Sequence, residues 1–204
     1  MPTTIEEYAA ISAIAKAVAP YLKEQTGQNW HFVDKRDADG QPVWFSEIHH
    51  PDGPILHFEC PYNQKGRILI RGHFGQLQEF RPYDDKAKCS ITVSKDKSPD
   101  KIANAIVGRL LPEYLEKYKV AAYRAKESAE YETRKTGMIE RLAKLAGKKL
   151  SGGNGEPRLH VGSASQGLFY GDVTASSSTT VKLVLNSLTE ENAIKILKVL
   201  GEIP

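Results

Sequence analysis

The most constraining feature of this sequence is one long stretch, residues 113–149, rich in Ala, Glu, Lys, Arg and Tyr and almost free of turn-forming residues. A segment of this length and composition predicts a single long helix. Apolar residues recur along it at helical spacing, but they form a narrow stripe, so only one side of the helix can pack against a core. The stretch therefore predicts a mostly solvated helix that connects other parts of the chain.

A short strand and a capped helix precede the long helix. Residues 89–94 alternate between apolar and polar side chains, which is typical of a half-buried strand. Ser98 then stands at an N-cap position, and Pro99 occupies the first helical position, where its missing N–H costs nothing. Gly108 and Pro112 predict a kink or a break between this helix and the long one, because proline removes a helical hydrogen bond.

The N-terminal part of the chain predicts an amphipathic helix followed by an antiparallel meander. Apolar residues at helical spacing run from Ile5 to Leu22, and Pro20 predicts that this helix kinks or ends near Val18. Short alternating runs then predict four strands, at residues 29–33, 43–49, 55–60 and 67–73. The alternation directs one set of side chains to the core: Trp44, Ile48, Leu56, Phe58, Cys60, Ile68 and Ile70.

The opposite face of those strands carries the most varied chemistry in the sequence. A turn at Asp52-Gly53 brings His49 opposite Ile55, which places Glu47 opposite His57. The candidate sheet-face site consists of Glu47, His49, His57, Glu59, Arg67 and Arg71. A His–Glu pair can perform acid–base chemistry, while cross-strand ion pairing explains the same residues without catalysis. Side chains on a flat strand face diverge and no metal-binding spacing occurs, so we predict neither a metal site nor a cofactor.

The C-terminal part predicts a second, smaller unit. Glycines and a proline in residues 150–157 predict a linker. Three strands follow, and Thr189 then caps a last helix. The strands are predicted at residues 158–163, 167–175 and 180–186. The expected fold class is therefore α+β, with antiparallel meanders and helices in two units joined by the long charged helix. We predict an N-terminal domain at residues 1–112, a connecting helix at residues 113–149, a linker at residues 150–157 and a small C-terminal unit at residues 158–204.

Composition limits the class of protein. A chain of 204 residues with 40% hydrophobic residues can bury a substantial core. Its two cysteines, the lack of a secretory signal and the lack of an apolar run that could span a membrane predict a cytoplasmic protein without a membrane partner. The net charge of +3 permits nucleic-acid binding without indicating it.

Basic residues concentrate near the end of the long helix. They are Arg134, Lys135, Arg141, Lys144, Lys148 and Lys149. Residues 113–149 contain ten basic and six acidic residues, a balance of +4 that exceeds the net charge of the whole chain. Such a cluster can neutralise the phosphates of DNA or RNA. Cations near a helix C-terminus are also stabilised by the helix dipole, which explains the same residues without a ligand.

Three short motifs surround the first capped helix. They are Ser-Ile-Thr-Val-Ser at 90–94, Ser-Pro-Asp-Lys-Ile-Ala at 98–103 and Arg-Leu-Leu-Pro-Glu-Tyr-Leu at 109–115. Together they resemble a segment of uncharacterised proteins from phages and mobile elements. The resemblance implies that the protein is encoded by a phage or mobile element, and it identifies no catalytic residues.

The leading hypothesis is a non-catalytic accessory protein of a phage or mobile element that binds nucleic acid through its basic helix. One alternative is a protein-binding modulator or inhibitor of a host defence complex, whose long helix contacts a host protein or a second copy of the chain in a homodimer. The other is an enzyme that uses the His/Glu site on the N-terminal sheet.

Overall fold

Helices and antiparallel sheets make up the described part of the chain, which confirms the expected α+β class. A computed structural model describes residues 5–35, 40, 44–61, 64–82, 89–151, 157–162 and 170–201. The chain divides into two compact units, residues 1–125 and 126–204, and the boundary falls within the long helix. No helix within these ranges is long and apolar enough to cross a lipid bilayer.

The first unit is built on a five-stranded antiparallel sheet whose strands lie side by side in sequence order. Its elements are α1 Ile5–Thr26, β1 His31–Val33, β2 Phe45–His49, β3 Ile55–Glu59, β4 Arg67–His73, β5 Ser90–Ser94, α2 Pro99–Arg109 and the start of α3 Leu111–Leu145. A short 3-10 helix, Gly75–Phe80, follows β4. The four predicted strands and the helix that begins at Pro99 are all present, with ends that differ by a few residues. Ser98 stands at the N-cap position, but its side chain makes no capping hydrogen bond.

The predicted register of the hairpin formed by β2 and β3 is confirmed. His49 lies opposite Ile55, and Glu47 lies opposite His57. Gly53 adopts a φ of 102° in the connecting turn, a conformation that favours glycine. The N–H of His50 donates to the carbonyl of Pro54 across the turn at 2.8 Å. This register decides which side chains of the two strands share a face.

One face of the first sheet forms the core with α1 and α2. Its fully buried members are Ile48, Leu56, Phe58, Ile68 and Ile70. Trp44 was predicted to join them, but it exposes 58% of its surface. The residue lies just before Phe45, where pairing of β2 with β3 begins, so alternation no longer controls its direction. Cys60 lies just beyond the last paired residue of β3 and is only half-buried.

Pro20 predicted that α1 either kinks or ends near Val18. The helix does not end there, because it continues through Pro20 to Thr26. Val18 and Ala19 before the proline and Leu22 after it are buried in the core, while Pro20 itself is exposed. Each large buried apolar side chain contributes about 2 kcal/mol, and together they offset the roughly 3 kcal/mol that an internal proline costs.

Tyr114 attaches the start of α3 to the first sheet. The predicted break separates α2 from α3 at Leu110, and Tyr114 follows four residues later with its side chain fully buried. Its hydroxyl accepts from the N–H of Ile55 at 2.8 Å and donates to the carbonyl of His73 at 2.7 Å. The buried stripe at the start of α3 is therefore centred on Leu111, Tyr114 and Ala121, and Ala129 farther along the helix is exposed.

The second unit combines the end of α3 with a three-stranded antiparallel sheet and a C-terminal helix. Its further elements are β6 Arg158–Gly162, β7 Tyr170–Ala175, β8 Val181–Asn186 and α4 Glu190–Gly201. Thr189 caps α4 as predicted, because its hydroxyl accepts from the N–H of Asn192 at 3.3 Å. Several predicted segments lie outside the described residues: 152–156 of the linker, and the strand positions 43, 163 and 167–169.

Candidate functional site

A buried carboxylate, that of Glu47, is the centre of the polar face of the first sheet. Its side chain is 3% exposed, and Nζ of Lys35 lies 2.8 Å from each of its oxygens. Nε2 of His49 donates to Oε2 at 2.6 Å. Nε2 of His57 lies 2.8 Å from Oε1 but off the line of a hydrogen bond, so this contact is mainly electrostatic. These four residues are called the Glu47 network below.

Three neighbouring strands bring the network together. Glu47 on β2 lies between Val33 on β1 and His57 on β3. His49 follows Glu47 by two residues, and Lys35 follows Val33 by two residues, so both side chains lie on the same face as the carboxylate. The sheet register is therefore sufficient to converge one carboxylate and three nitrogen-bearing side chains.

A row of stacked rings borders the network. The rings of Phe45 and His57 are parallel within 15° with centroids 4.6 Å apart, and those of His57 and His73 are parallel within 9° at 4.2 Å. Nζ of Lys35 lies 5.5 Å from the centroid of the Phe45 ring. These rings cover a strand face that would otherwise be open to water, which explains how a glutamate on the side away from the core is buried.

Electrostatics keeps Glu47 ionised. Burial by itself raises the pKa of the Glu47 carboxyl, but the contacts with His57, Lys35 and His49 outweigh burial and hold the pKa well below its usual value. Burial lowers the pKa of His73, and repulsion from the neighbouring His57 lowers it further. The polar face therefore holds a charged carboxylate beside a histidine that resists protonation.

Acid should weaken the first unit in two stages. His73 binds a proton less readily in the folded chain than in the unfolded chain, so stability should fall as the pH drops below about 6.5, by at most ~1.4 kcal/mol per pH unit. Glu47 also binds its proton less readily when folded, so a further loss should begin below about pH 4.5. Urea unfolding between pH 8 and about pH 3, followed by tryptophan fluorescence, measures both stages because Trp30 and Trp44 both lie in the first unit.

The variant His73→Asn separates the two stages. An asparagine oxygen can replace Nδ1 of His73, which accepts from the N–H of Gly75 at 3.1 Å. We expect the fall below pH 6.5 to shrink in this variant and the fall below pH 4.5 to remain. A variant whose pH profile matches that of the unmodified protein would contradict the assignment of the first stage to His73.

The structure brings together only part of the predicted sheet-face site. Glu47, His49 and His57 meet, whereas Glu59 forms a separate pair with Arg71 at 3.3 Å. Arg67 donates instead to the carbonyl of Thr92 at 3.2 Å on β5. Sequence reasoning missed Lys35 as a member of the site. Lys35 lies two residues after Val33, so alternation places both residues on the same face of the strand. The pairing of β1 with β2 could not be inferred from the sequence, because no tight turn connects the two strands.

The chemistry open to the Glu47 network is limited to proton transfer and ion pairing. His49 keeps 27% of its side chain exposed with a buried carboxylate behind it, which is the arrangement of a general base. Within the described ranges, no group of three or more His, Cys, Asp or Glu side chains is arranged to hold a metal ion. The contacts of the network account for stability and strand register without a substrate.

The predicted basic residues do not all lie on one side of α3. Arg134, Arg141 and Lys144 are exposed and share one side of the helix, since they follow each other at seven and three residues. Lys135 lies about 100° around the helix and is partly buried. The basic segment, defined as residues 134–149, contains six basic residues and one acidic residue, Glu140.

The helix ends before the last two lysines, which corrects the predicted helix end at residue 149. Gly147 has a φ of 63°, its N–H donates to the carbonyl of Lys144, and the N–H of Lys148 donates to the carbonyl of Ala143 at 3.0 Å. This is a Schellman motif, in which a left-handed glycine stops the helix. Lys148 then donates from Nζ to the carbonyl of His160 on β6 at 3.2 Å, while Lys149 is exposed.

Comparison of the chain with protein-family models, with curated proteins and with solved structures finds no match.

Proposed function

We propose that this protein is a non-catalytic accessory protein that binds nucleic acid through the basic segment. The observation that supports the proposal is the exposed row of Arg134, Arg141 and Lys144 on one side of α3, within a stretch that contains a single acid. The setting implied by the phage-like motifs at residues 90–115 is consistent with such a role.

The helix dipole does not account for the whole row. A cation gains from the dipole only in the last turn of a helix, which here contains Lys144. Arg134 lies about three turns before the end of α3 and obtains no such stabilisation. A ligand whose negative charges are spaced along one direction would explain why Arg134 lies on the same side of the helix as Arg141 and Lys144.

The length of the row suits a phosphate backbone. Arg134 and Lys144 are ten residues apart, which corresponds to about 15 Å along the helix. A DNA strand presents a phosphate about every 3.4 Å along the duplex axis, so a helix lying along the backbone can pair three cations with separate phosphates. Guanidinium groups favour this contact because they bind phosphate oxygens with two parallel hydrogen bonds. No contact to base edges is implied, so binding should not depend on sequence.

Binding to a fluorescent duplex of about 20 base pairs tests the proposal. With three phosphate contacts, the logarithm of the affinity should fall with the logarithm of the salt concentration with a slope of about −3, and with a slope of about −2 for a single strand. The triple variant Arg134→Glu, Arg141→Glu and Lys144→Glu should bind about 100-fold more weakly at low salt.

A matched control makes the same change of net charge elsewhere. Lys16, Lys23 and Lys101 are exposed on α1 and α2, and their reversal to Glu should lower the affinity far less than reversal of the row. Equal losses in the two triple variants would mean that net charge alone governs binding. No measurable binding of the unmodified protein at low salt would disprove the proposed function.

A further inference from the structure

The sheet of the second unit has one apolar face. Its register aligns Leu159 and Val161 of β6 with the apolar positions of β7 and β8. The described residues on this face are Leu159, Val161, Gly171, Val173, Ala175, Val181, Leu183 and Leu185. The other face carries polar side chains, among them His160, Asp172 and Lys182. A face of this composition is normally covered in a folded protein.

Cover on the apolar face decreases from β6 toward β8. Leu159 of β6 and Ala175 of β7 are buried, whereas Val181 and Leu183 of β8 expose 44% and 51% of their surfaces. Among the strands that the structure describes, β8 pairs with β7 alone, so it forms an edge of its sheet. The exposed apolar side chains therefore lie beside a row of backbone groups that can pair with another strand.

We propose that the free edge of β8 pairs antiparallel with β8 of a second copy of this chain, which joins two three-stranded sheets into one six-stranded sheet. A two-fold axis perpendicular to the sheet maps each face onto itself, so residues that lie opposite each other must come from the same face. Val181 and Leu183 of each copy then contact Leu185 and Leu183 of the other across the new strand pair, which covers part of their exposed surface.

Charge selects the register of this pairing. When Leu183 lies opposite its own counterpart, Val181 lies opposite Leu185 of the second copy, and Lys182 lies opposite Val184 rather than opposite another lysine. Val184 pairs with Asp172 on β7, so Lys182 of the second copy stands two strands away from Asp172 on the polar face. That separation is about 10 Å between backbones, within reach of a lysine and an aspartate side chain.

The alternative two-fold register lacks this complementarity. When Val184 lies opposite its own counterpart, Lys182 lies opposite Asn186, and the two Asp172 carboxylates share one row of side chains without a lysine between them. The carboxylate of Asp172 already contacts the ring of His160, so an additional cation strengthens an existing polar cluster. The register centred on Leu183 is therefore the one that the side chains favour.

Sedimentation equilibrium of the full chain at about 100 µM tests the proposal, since this concentration exceeds a micromolar dissociation constant. The expected mass is twice the 22.6 kDa of the monomer. Leu183→Lys sets two lysines opposite each other and should raise the dissociation constant about 100-fold. The control Leu145→Lys makes the same change at another exposed leucine and should leave the dimer intact.

Cysteine cross-linking checks the register. Oxidation of Leu183→Cys should produce a covalent dimer, because directly opposed side chains have Cβ atoms about 5 Å apart, whereas Val184→Cys should not. The unmodified protein, treated identically, accounts for Cys60 and Cys89. A monomer at 100 µM, including one in which α4 of the same chain covers Leu183, would overturn the proposal. So would a dimer that Leu183→Lys does not weaken, or cross-linking through Val184→Cys alone.

Discussion

Replacement of Gly72 by alanine should destabilise the first unit by about 3 kcal/mol. Gly72 lies on the core face of β4, opposite Leu56. A Cβ atom there would stand 2.2 Å from Cδ2 and 2.4 Å from Cγ of Tyr114, far inside van der Waals contact. The ring cannot move aside cheaply, because Tyr114 is fully buried and its hydroxyl is bonded to Ile55 and His73. Insertion of a methyl group therefore disturbs both the core and the attachment of α3.

The control for this variant is Gly108→Ala. Gly108 lies within α2, and a Cβ atom there meets no atom within 4 Å. Alanine should stabilise the helix by about 0.5–1 kcal/mol, since glycine is the poorer helix former. Urea unfolding monitored by the fluorescence of Trp30 and Trp44 reports on the first unit in both variants. A Gly72→Ala protein as stable as the unmodified protein would show that Tyr114 does not occupy this position.

Replacement of Glu47 by glutamine should cost about 3 kcal/mol. The carboxylate accepts from or contacts three nitrogens, those of Lys35, His49 and His57. A glutamine offers one oxygen and an NH2 group that must face one of these donors, so it leaves buried polar groups without a hydrogen-bond partner at a site where the side chain is 3% exposed. The same variant should lose the part of the acid dependence that begins below about pH 4.5, because that part comes from the lowered pKa of Glu47.

Glu59→Gln provides the matched control on the same sheet face. Glu59 pairs with Arg71, whose side chain is 53% exposed and can be rehydrated when its partner becomes neutral. The loss should therefore stay below about 1 kcal/mol. If Glu47→Gln and Glu59→Gln destabilised the protein equally, the Glu47 network would not have the energetic importance that its burial and contacts imply.

The sequence predicted the members of the candidate site only where it also predicted how the strands pair. Pairing across the Asp52-Gly53 turn placed Glu47 opposite His57, and the structure confirms that register. The same alternation could not show that Glu47 is buried, since residues on the face away from the core are ordinarily solvated. Its burial depends on stacking between residues of different strands, Phe45, His57 and His73, and on Lys35 beyond the end of β1.

The long charged stretch by itself determined that a helix follows a break near Pro112, that only a narrow stripe of it can be buried, and that basic residues gather near its end. Tertiary structure decided which residue attaches it to the sheet, because the Tyr114 ring needs the space left by the missing side chain of Gly72 and its hydroxyl needs backbone groups of Ile55 and His73. Local periodicity specifies which side chains share a side of a helix or strand. Contacts between distant segments specify which of those sides is covered, and no local pattern contains that information.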